Sequence, residues 1–312
     1  MDLCQRLEDL KLIVVTGKGG TGKSVMTAAL GRQLALRGRR TLMLEVDPRE
    51  NLHQLCGVPP SGGEIVEIRH RLYLQNLKPQ TVVDMVVKRQ VKVDLIVEGL
   101  RKSAVYQRFT EGAPGLTEIA ILGHVVRLVA RRDAGSFFGL DVPAIDTVVL
   151  DAPATGHGIY LLTAARLFAD AIGEGPFAAM AREVAELVED PDRAGLVVVT
   201  LAEEMPVQEA IELRAALVEH FGRPPELLIV NGLYPEVDGD GEDDEDDELV
   251  RLWHERRAIN DLEIERLARR WSGPRIEVPL LAVDDPPHLV RLAREILDGR
   301  LSELEPAGEA TA

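Results

Sequence analysis

The amino-acid sequence predicts an α/β protein with a mostly parallel sheet that carries helices on both faces. Short apolar runs rich in β-branched residues recur along the chain, and segments of helical periodicity separate most of them. Strands that alternate with helices in this way form parallel sheets, because each helix is the crossover between two strands. The chain has 312 residues, of which 46% are hydrophobic and 28% charged, so it can bury a substantial core.

Six buried strands are predicted from the apolar runs. They cover residues 12–16, 41–46, 146–150, 196–201, 227–230 and 275–278. After the second strand the pattern changes, and residues 65–68 and 72–77 are expected to pair as a hairpin. Helical periodicity fills much of residues 78–133, which are predicted to form an inserted helical subdomain. A smaller helical piece is expected at residues 176–188.

The charge of the chain is acidic and unevenly distributed. The formal net charge of −16, from 36 basic and 52 acidic residues, argues against a protein that binds nucleic acid through phosphate contacts. Nine of the carboxylates lie between Asp238 and Glu248, so the rest of the chain is only mildly acidic. Residues 236–250 are predicted to form a solvated, mobile loop, with a docking site for a basic partner as the alternative. Residues 303–312 are predicted to form a frayed tail.

The sequence favours a cytoplasmic protein. Residues 1–10 lack the apolar region of a signal peptide, and no apolar run approaches the ~18 residues that a membrane span needs. Two cysteines, Cys4 and Cys56, cannot form a disulfide framework or a four-thiolate metal site within one chain. A reducing compartment is therefore expected.

A glycine-rich segment lies between the first predicted strand and a helical pattern. The motif G-x-x-x-x-G-K-[ST] is matched there by Gly17, Lys18, Gly19, Gly20, Thr21, Gly22, Lys23 and Ser24. Glycines let backbone N–H groups close around phosphate oxygens without a Cβ in the way, and the helix N-terminus favours negative charge. Lys23 is expected to neutralise the β- and γ-phosphates, and the Ser24 hydroxyl to bind Mg²⁺. The sequence therefore predicts a P-loop nucleotide site.

Lys18 is a second lysine inside this loop, where an ordinary P-loop accepts almost any residue. At this position the sequence resembles the deviant Walker-A ATPases, the group of MinD, ParA, nitrogenase iron protein and the arsenite-pump ATPase. In that group the matching lysine reaches across a dimer interface to the partner's nucleotide. The resemblance implies that Lys18 and Lys23 both take part in catalysis, in a homodimer or a pair with a homologous subunit. The alternative is a solvated lysine in a glycine loop.

Two further segments narrow the resemblance. Residues 47–52, D-P-R-E-N-L, look like the switch I sequence D-P-A-H-N-L of the ArsA and tail-anchored-protein-targeting ATPases. Residues 151–157, D-A-P-A-T-G-H, look like their switch II sequence D-T-A-P-T-G-H. The resemblance covers most of the chain outside the helical insert. It implies that residues 1–312 form a single P-loop ATPase domain that hydrolyses ATP with Mg²⁺.

The matched polar residues have expected roles. A carboxylate at a strand end beside the P-loop can orient the attacking water, and Asp47 is assigned that role. Asp151 is expected to hold Mg²⁺ through water, and Gly156 to offer its backbone N–H to the γ-phosphate. Asn231, at another strand end, would contact the adenine edge through its amide. The alternatives are a helix N-cap for either aspartate and an ordinary turn residue for Asn231.

The sequence also departs from these relatives, which bears on metal binding. There is no cysteine after Cys56, so the intersubunit C-x-x-C zinc clamp of the eukaryotic targeting ATPases cannot form, and no zinc is expected. The metalloid site of the arsenite-pump enzymes uses several cysteines, which two cysteines support poorly.

Four functions stay open at this point. The first is an ATPase with an unknown client or membrane partner, and the second is a targeting chaperone for hydrophobic segments of membrane proteins. The third is a motor subunit of a metalloid or anion efflux pump, and the fourth is a MinD-like positioning ATPase. Apolar residues of the insert could line a groove for a membrane-protein client, or could simply pack against the sheet domain.

Overall fold

A computed structural model describes residues 3–46, 49–90, 115–130, 135–137, 140–152, 158–172, 174–236 and 248–303. Several sequence predictions concern residues outside these ranges. They include Asp47, Gly156, the acidic segment 237–247 and the tail 304–312, and what is said of these residues stays a prediction.

The strands follow the predicted apolar runs closely. They are β1 (Leu12–Thr16), β2 (Thr41–Glu45), β3 (Val66–Arg69), β4 (Leu72–Asn76), β5 (Gly135–Phe137), β6 (Leu140–Val142), β7 (Thr147–Asp151), β8 (Ala194–Leu201), β9 (Leu227–Leu233) and β10 (Arg275–Pro279). The hairpin predicted after the second strand is present as β3 and β4, which pair antiparallel. The short antiparallel ribbon of β5 and β6 was not predicted from the sequence.

The helices lie between these strands. They are α1 (Leu3–Asp9), α2 (Lys23–Leu36), α3 (Asn51–Cys56), α4 (Pro79–Gln90), α5 (Leu116–Val129), α6 (Gly158–Ile172), α7 (Pro176–Glu189), α8 (Glu204–Phe221), α9 (Glu248–Arg270) and α10 (Pro286–Glu303). Helix α9 begins inside the segment 236–250 that was predicted as a loop, so the end of that segment is helical. In the described ranges, every helix is too short or too polar to cross a bilayer.

Eight strands form one sheet in the order β10-β9-β8-β1-β7-β2-β4-β3. Neighbouring strands are parallel throughout, except for the antiparallel pair of β3 and β4 at one edge. The predicted class, an α/β protein with a mostly parallel sheet, is confirmed. It is the architecture of a P-loop NTPase, with β1 in the middle of the sheet.

Helices cover both faces of the sheet, and β1 shows why the sequence reads as a continuous apolar run. Leu12 and Val14 face one core cluster, which includes residues of α4, α5, α6 and α7. Ile13 and Val15 face the other, which includes residues of α2 and α10. Because both faces are buried, successive residues of a central strand must all be apolar.

The described part of residues 78–133 consists of α4 and α5. Val82 and Val83 of α4 are 1% and 3% exposed and belong to the same core cluster as Leu12. These two side chains are therefore buried in the core and do not line an exposed groove. Residues 91–114 lie outside the described ranges, so the inserted subdomain and its client groove stay predictions.

A buried polar pair joins α5 to the sheet. The ring nitrogen Nε2 of His124 lies 2.8 Å from Gln75 Oε1, and the Gln75 amide in turn donates to the Gly63 carbonyl at 2.9 Å. Since the Gln75 oxygen only accepts, the neutral ring must carry its proton on Nε2. Burial, helped by the nearby charge of Arg127, lowers the pKa of His124 from 6.5 to about 4.

We expect this histidine to make the fold sensitive to acid. Between pH 6.5 and 4 the unfolded chain binds a proton at His124 that the folded chain does not. The free energy of unfolding therefore decreases as the pH falls. The loss of stability is on the order of 3 kcal/mol and is complete near pH 4.

Chemical unfolding of wild type and His124→Gln at a series of pH values measures this effect. The substitution should flatten the pH dependence between pH 6.5 and 4, whereas His220→Gln, at an exposed position on α8, should leave it unchanged. Equal slopes for wild type and His124→Gln in this interval would show that His124 is not the titrating group.

Candidate functional site

The described residues that are predicted to act on nucleotide lie at the carboxyl edge of the sheet. Strand β7 lies between β1 and β2, and Asp151 is in register with Val15 on one side and Glu45 on the other. The P-loop follows β1, and the switch I residues follow β2. The fold therefore brings together three segments that are far apart in the sequence.

The P-loop backbone explains the need for glycine at two positions. Gly17 has φ 147° and Gly22 has φ 92°, a region that residues with a side chain rarely adopt. A Cβ on Gly17 would overlap the carbonyl oxygen of Val199, and a Cβ on Gly22 would overlap the side-chain amide of Asn231. The loop thus packs tightly against the ends of β8 and β9.

Lys23 is the buried cation of the site. It is the first residue of α2, it is 7% exposed, and its Nζ donates to the Lys18 carbonyl at 3.0 Å. Burial lowers the pKa of Lys23, and the carboxylate of Asp151 partly opposes this shift. A buried ammonium group favours an anion beside it, and the phosphates of a nucleotide would provide one. Gly22 has no side chain to cap α2, so the first N–H groups of the helix are available to the same anion.

Ser24 and Asp151, the two predicted Mg²⁺ ligands, are in direct contact. The Ser24 hydroxyl donates to Asp151 Oδ2 at 2.5 Å, although the two residues are 127 positions apart. Asp151 is also almost buried. An oxygen pair of this kind, next to the lysine that would hold the phosphates, fits the ligand preference of Mg²⁺.

Lys18 is the second lysine of the loop, and it makes an ion pair within its own chain. Its Nζ lies 3.0 Å from Glu209 Oε1 of α8, with the two side chains 34% and 38% exposed. The backbone carbonyl of Lys18 accepts hydrogen bonds from Lys23 and from the Thr21 hydroxyl. The side chain of Lys18 therefore remains at the surface of the site.

Asn231 lies against the P-loop, at the end of β9. Its amide nitrogen donates to the Thr21 carbonyl at 2.9 Å. This contact places Asn231 against the P-loop. Its predicted role in reading adenine stays a prediction.

The observed secondary structure tests the alternative that Asp47 and Asp151 are helix N-caps. Helix α3 has Glu50 as its N-cap, so Asp47 is not the cap of that helix. Asp151 is the last residue of β7 and Ala152 after it is not helical, so Asp151 is not a helix N-cap either. The N-cap interpretation of both aspartates is therefore wrong, and their catalytic interpretation is still to be tested. Asp47 and Gly156 lie outside the described residues.

Sequence reasoning missed three charged or polar residues near the site. Glu209 pairs with Lys18, as described above, and Glu45 at the end of β2 pairs with His53 of α3. One signal in the sequence could have indicated the pair of Glu45 and His53: Glu45 is a charged residue at the end of the otherwise uncharged strand Thr41–Glu45. A carboxylate in such a position is rarely buried unless it has a partner.

Cys56 is the last residue of α3 and is partly exposed. Burial and the charge of Glu45 raise the pKa of its thiol to about 11. The thiol therefore stays protonated at neutral pH, which makes it a weak nucleophile.

A family model described as anion-transporting ATPase matches residues 10–174. That range is more than half of the chain, and it contains the P-loop, both switch sequences and Asp151. The chain belongs to the ArsA ATPase family. Its activity is the hydrolysis of ATP, and the predicted family resemblance is confirmed.

The ArsA-family relatives include proteins whose names indicate different roles. The ATPase BagA of Mycobacterium tuberculosis is 31% identical over 242 residues, which are 74% of this chain and 67% of that protein. An arsenical pump-driving ATPase of Acidiphilium multivorum is 26% identical over 243 residues, 72% of this chain and 40% of that protein. An ATPase ASNA1 homolog of Paramecium tetraurelia is 25% identical over 158 residues, 50% of this chain and 44% of that protein. The chain thus matches less than half of the length of this pump-driving relative.

Proposed function

We propose that this ArsA-family ATPase depends on Mg²⁺ and works as a dimer whose opening and closing follow the bound nucleotide, in order to act on a protein client. The observation that carries the proposal is the arrangement of Lys23, Ser24 and Asp151 in one P-loop site. Binding of a nucleoside triphosphate with Mg²⁺ requires a cation for the phosphates and oxygen ligands for the metal. The buried ammonium group of Lys23 and the oxygens of Ser24 and Asp151 provide these groups.

Each residue has a separate task in hydrolysis. Lys23 and the N-terminus of α2 neutralise the phosphate oxygens, and Asp47 orients the attacking water. Ser24 and Asp151 would hold Mg²⁺, which supplies further neutralisation of charge on the phosphates. Asn231 would contact the base, and Gly156 would sense the γ-phosphate.

Dimer formation is supported by the surface position of Lys18. To reach a partner's nucleotide, Lys18 must leave Glu209, and an ion pair at this exposure contributes only about 0–1 kcal/mol. Large apolar side chains are also exposed near the same edge of the sheet: Met205 at the start of α8, and Leu249 and Leu252 at the start of α9. Such groups favour a surface that another subunit covers.

A protein client is favoured over a metalloid. The chain has only two cysteines, and Cys4 is only 4% exposed, so the several thiols that a metalloid site uses are not at hand. The role of a pump motor, as the name of the Acidiphilium relative suggests, is the second candidate. Stimulation of ATP hydrolysis by arsenite, abolished in Cys56→Ser, would favour that candidate over a protein client.

The metal requirement can be tested at Asp151. We expect Asp151→Asn to bind ATP without Mg²⁺ as wild type does, but to lose most of the Mg²⁺-dependent gain in affinity, tenfold or more. Asp146→Asn is the matched control, because Asp146 precedes the same strand at the opposite edge of the sheet, where it pairs with Arg40.

Calorimetry with ATP, with and without Mg²⁺, compares these variants. The proposal would be contradicted if Asp151→Asn kept the full gain, or if purified protein carried stoichiometric zinc whose removal dissociated a dimer.

A further inference from the structure

A buried carboxylate–imidazole pair connects the two ends of the switch I segment. Glu45 is the last residue of β2, and His53 lies in the first turn of α3, on the far side of Asp47. Both side chains are 1% exposed. Neither residue belongs to the P-loop or to the groups expected to touch the nucleotide.

Glu45 uses both carboxylate oxygens to hold α3. Oε2 accepts the backbone N–H of Leu52 at 2.9 Å, and Oε1 lies 3.0 Å from His53 Nδ1. Since a carboxylate can only accept, the Nδ1 proton of His53 points to Glu45. The Glu45 carboxylate thus accepts hydrogen bonds from a backbone N–H group at the start of α3 and from the imidazole of His53 in its first turn.

The base of this connection is fixed in the sheet. The backbone carbonyl of Glu45 accepts the N–H of Leu77, and Glu45 is in register with Asp151 of β7. Any movement of Glu45 would therefore disturb paired strands. Its side chain therefore holds α3 from a fixed position in the sheet.

Glu50, which lies between Glu45 and His53 in the sequence, has a strained backbone. Glu50 has φ 51°, a left-handed conformation that is costly for a residue with a side chain. Its carboxylate Oε2 lies 3.5 Å from the same His53 nitrogen. Strained residues persist where their surroundings hold them, and here the buried pair supplies that support.

We propose that Glu45 and His53 are positioning residues for hydrolysis: they hold the described residues on both sides of Asp47, the residue proposed to orient the attacking water. The proposal rests on the proposed function of Asp47. A general base or acceptor displaced by about 1 Å loses much of its effect, whereas the P-loop that binds the phosphates is untouched.

The test separates positioning from simple stabilisation of the core. His53→Gln removes the imidazole but keeps a polar side chain. His124→Gln makes the same change at the buried contact between His124 of α5 and Gln75 of β4. We expect His53→Gln to lower kcat about tenfold or more with KM for ATP changed less than twofold. His124→Gln should lower stability and leave kcat unchanged.

A second measurement does not depend on activity. Arg49 is exposed beside the strained Glu50, so trypsin cleavage after Arg49 reports how firmly the segment is held. We expect cleavage there to accelerate severalfold in His53→Gln but not in His124→Gln.

Glu45 gives the complementary variants. Glu45→Gln keeps an oxygen for the Leu52 N–H and should lose less activity than Glu45→Ala. The double variant Glu45→Gln/His53→Gln should be as active as the less active of the two single variants. The two substitutions are not additive because both residues act through the same contact. If Glu45→Ala does not fold, Glu45→Gln and His53→Gln carry the test.

The outcomes distinguish this proposal from the proposed function. If folded His53→Gln keeps wild-type kcat, or loses it only together with ATP affinity, the positioning role is overturned while an inactive Asp47→Asn still supports the role of Asp47. If Asp47→Asn is fully active, both the role of Asp47 and the positioning proposal fail. Unchanged cleavage after Arg49 in His53→Gln also overturns the proposal.

Discussion

Replacing Lys23 with alanine is expected to weaken ATP binding at least a hundredfold. In the folded protein Lys23 is buried, and its Nζ has the Lys18 carbonyl and the charge of Asp151 nearby. Without the ammonium group, the β- and γ-phosphates would lie in the loop without their cation and next to a carboxylate. Calorimetric titration with ATP and Mg²⁺ measures the change.

The same substitution should not damage the unliganded fold. Burial lowers the pKa of Lys23, which means that the folded protein disfavours its charged form. Removing it should therefore leave the melting temperature unchanged or raise it. Lys18→Ala is the matched control in the same loop, and it should retain most of the affinity because its side chain pairs with Glu209. Wild-type affinity in Lys23→Ala would remove the basis of the proposed function.

The fold and the P-loop could be predicted because their signals are local. Strand β1 is buried on both faces, so its sequence is apolar without interruption, and that pattern is visible without any knowledge of its neighbours. Gly17 and Gly22 are required by the backbone of the loop itself and by its contacts with β8 and β9. Such requirements leave a short motif in the sequence.

The remaining parts of the site depend on contacts between distant residues. The pair of Lys18 and Glu209 requires α8 to lie beside the P-loop, and nothing in the sequence around Glu209 indicates that position. The role of Glu45 depends on burial, which no strand pattern specifies for its last residue. Ser24 and Asp151 were both identified, but their direct contact follows only from the order of β1 and β7.

Asp47→Asn is expected to lower ATP turnover on the order of a hundredfold or more while ATP affinity is kept. Asparagine preserves the shape of the side chain but removes the carboxylate that would orient the water. The bound ATP should then persist and hold the dimer closed, which size-exclusion chromatography with light scattering can detect.

Lys18 provides the second half of this experiment, since a lysine that crosses the interface assists only the partner's nucleotide. In a mixed dimer, an Asp47→Asn subunit would donate Lys18 to the site of a Lys18→Ala subunit, which still has Asp47. One working site is restored, so equal mixing of two inactive preparations should recover about a quarter of wild-type activity if subunits exchange at random.

The mixing experiment should be run at fixed total protein with ATPase measured against the mixing ratio. As a control, Asp47→Asn is mixed with the double variant Lys18→Ala/Asp47→Asn, and this pair should restore nothing because no site has Asp47. If the two single variants are folded and form mixed dimers, yet the mixture shows only the sum of their separate activities, Lys18 does not act across an interface. The role of the Lys18 side chain would then be the ion pair with Glu209 in the same chain.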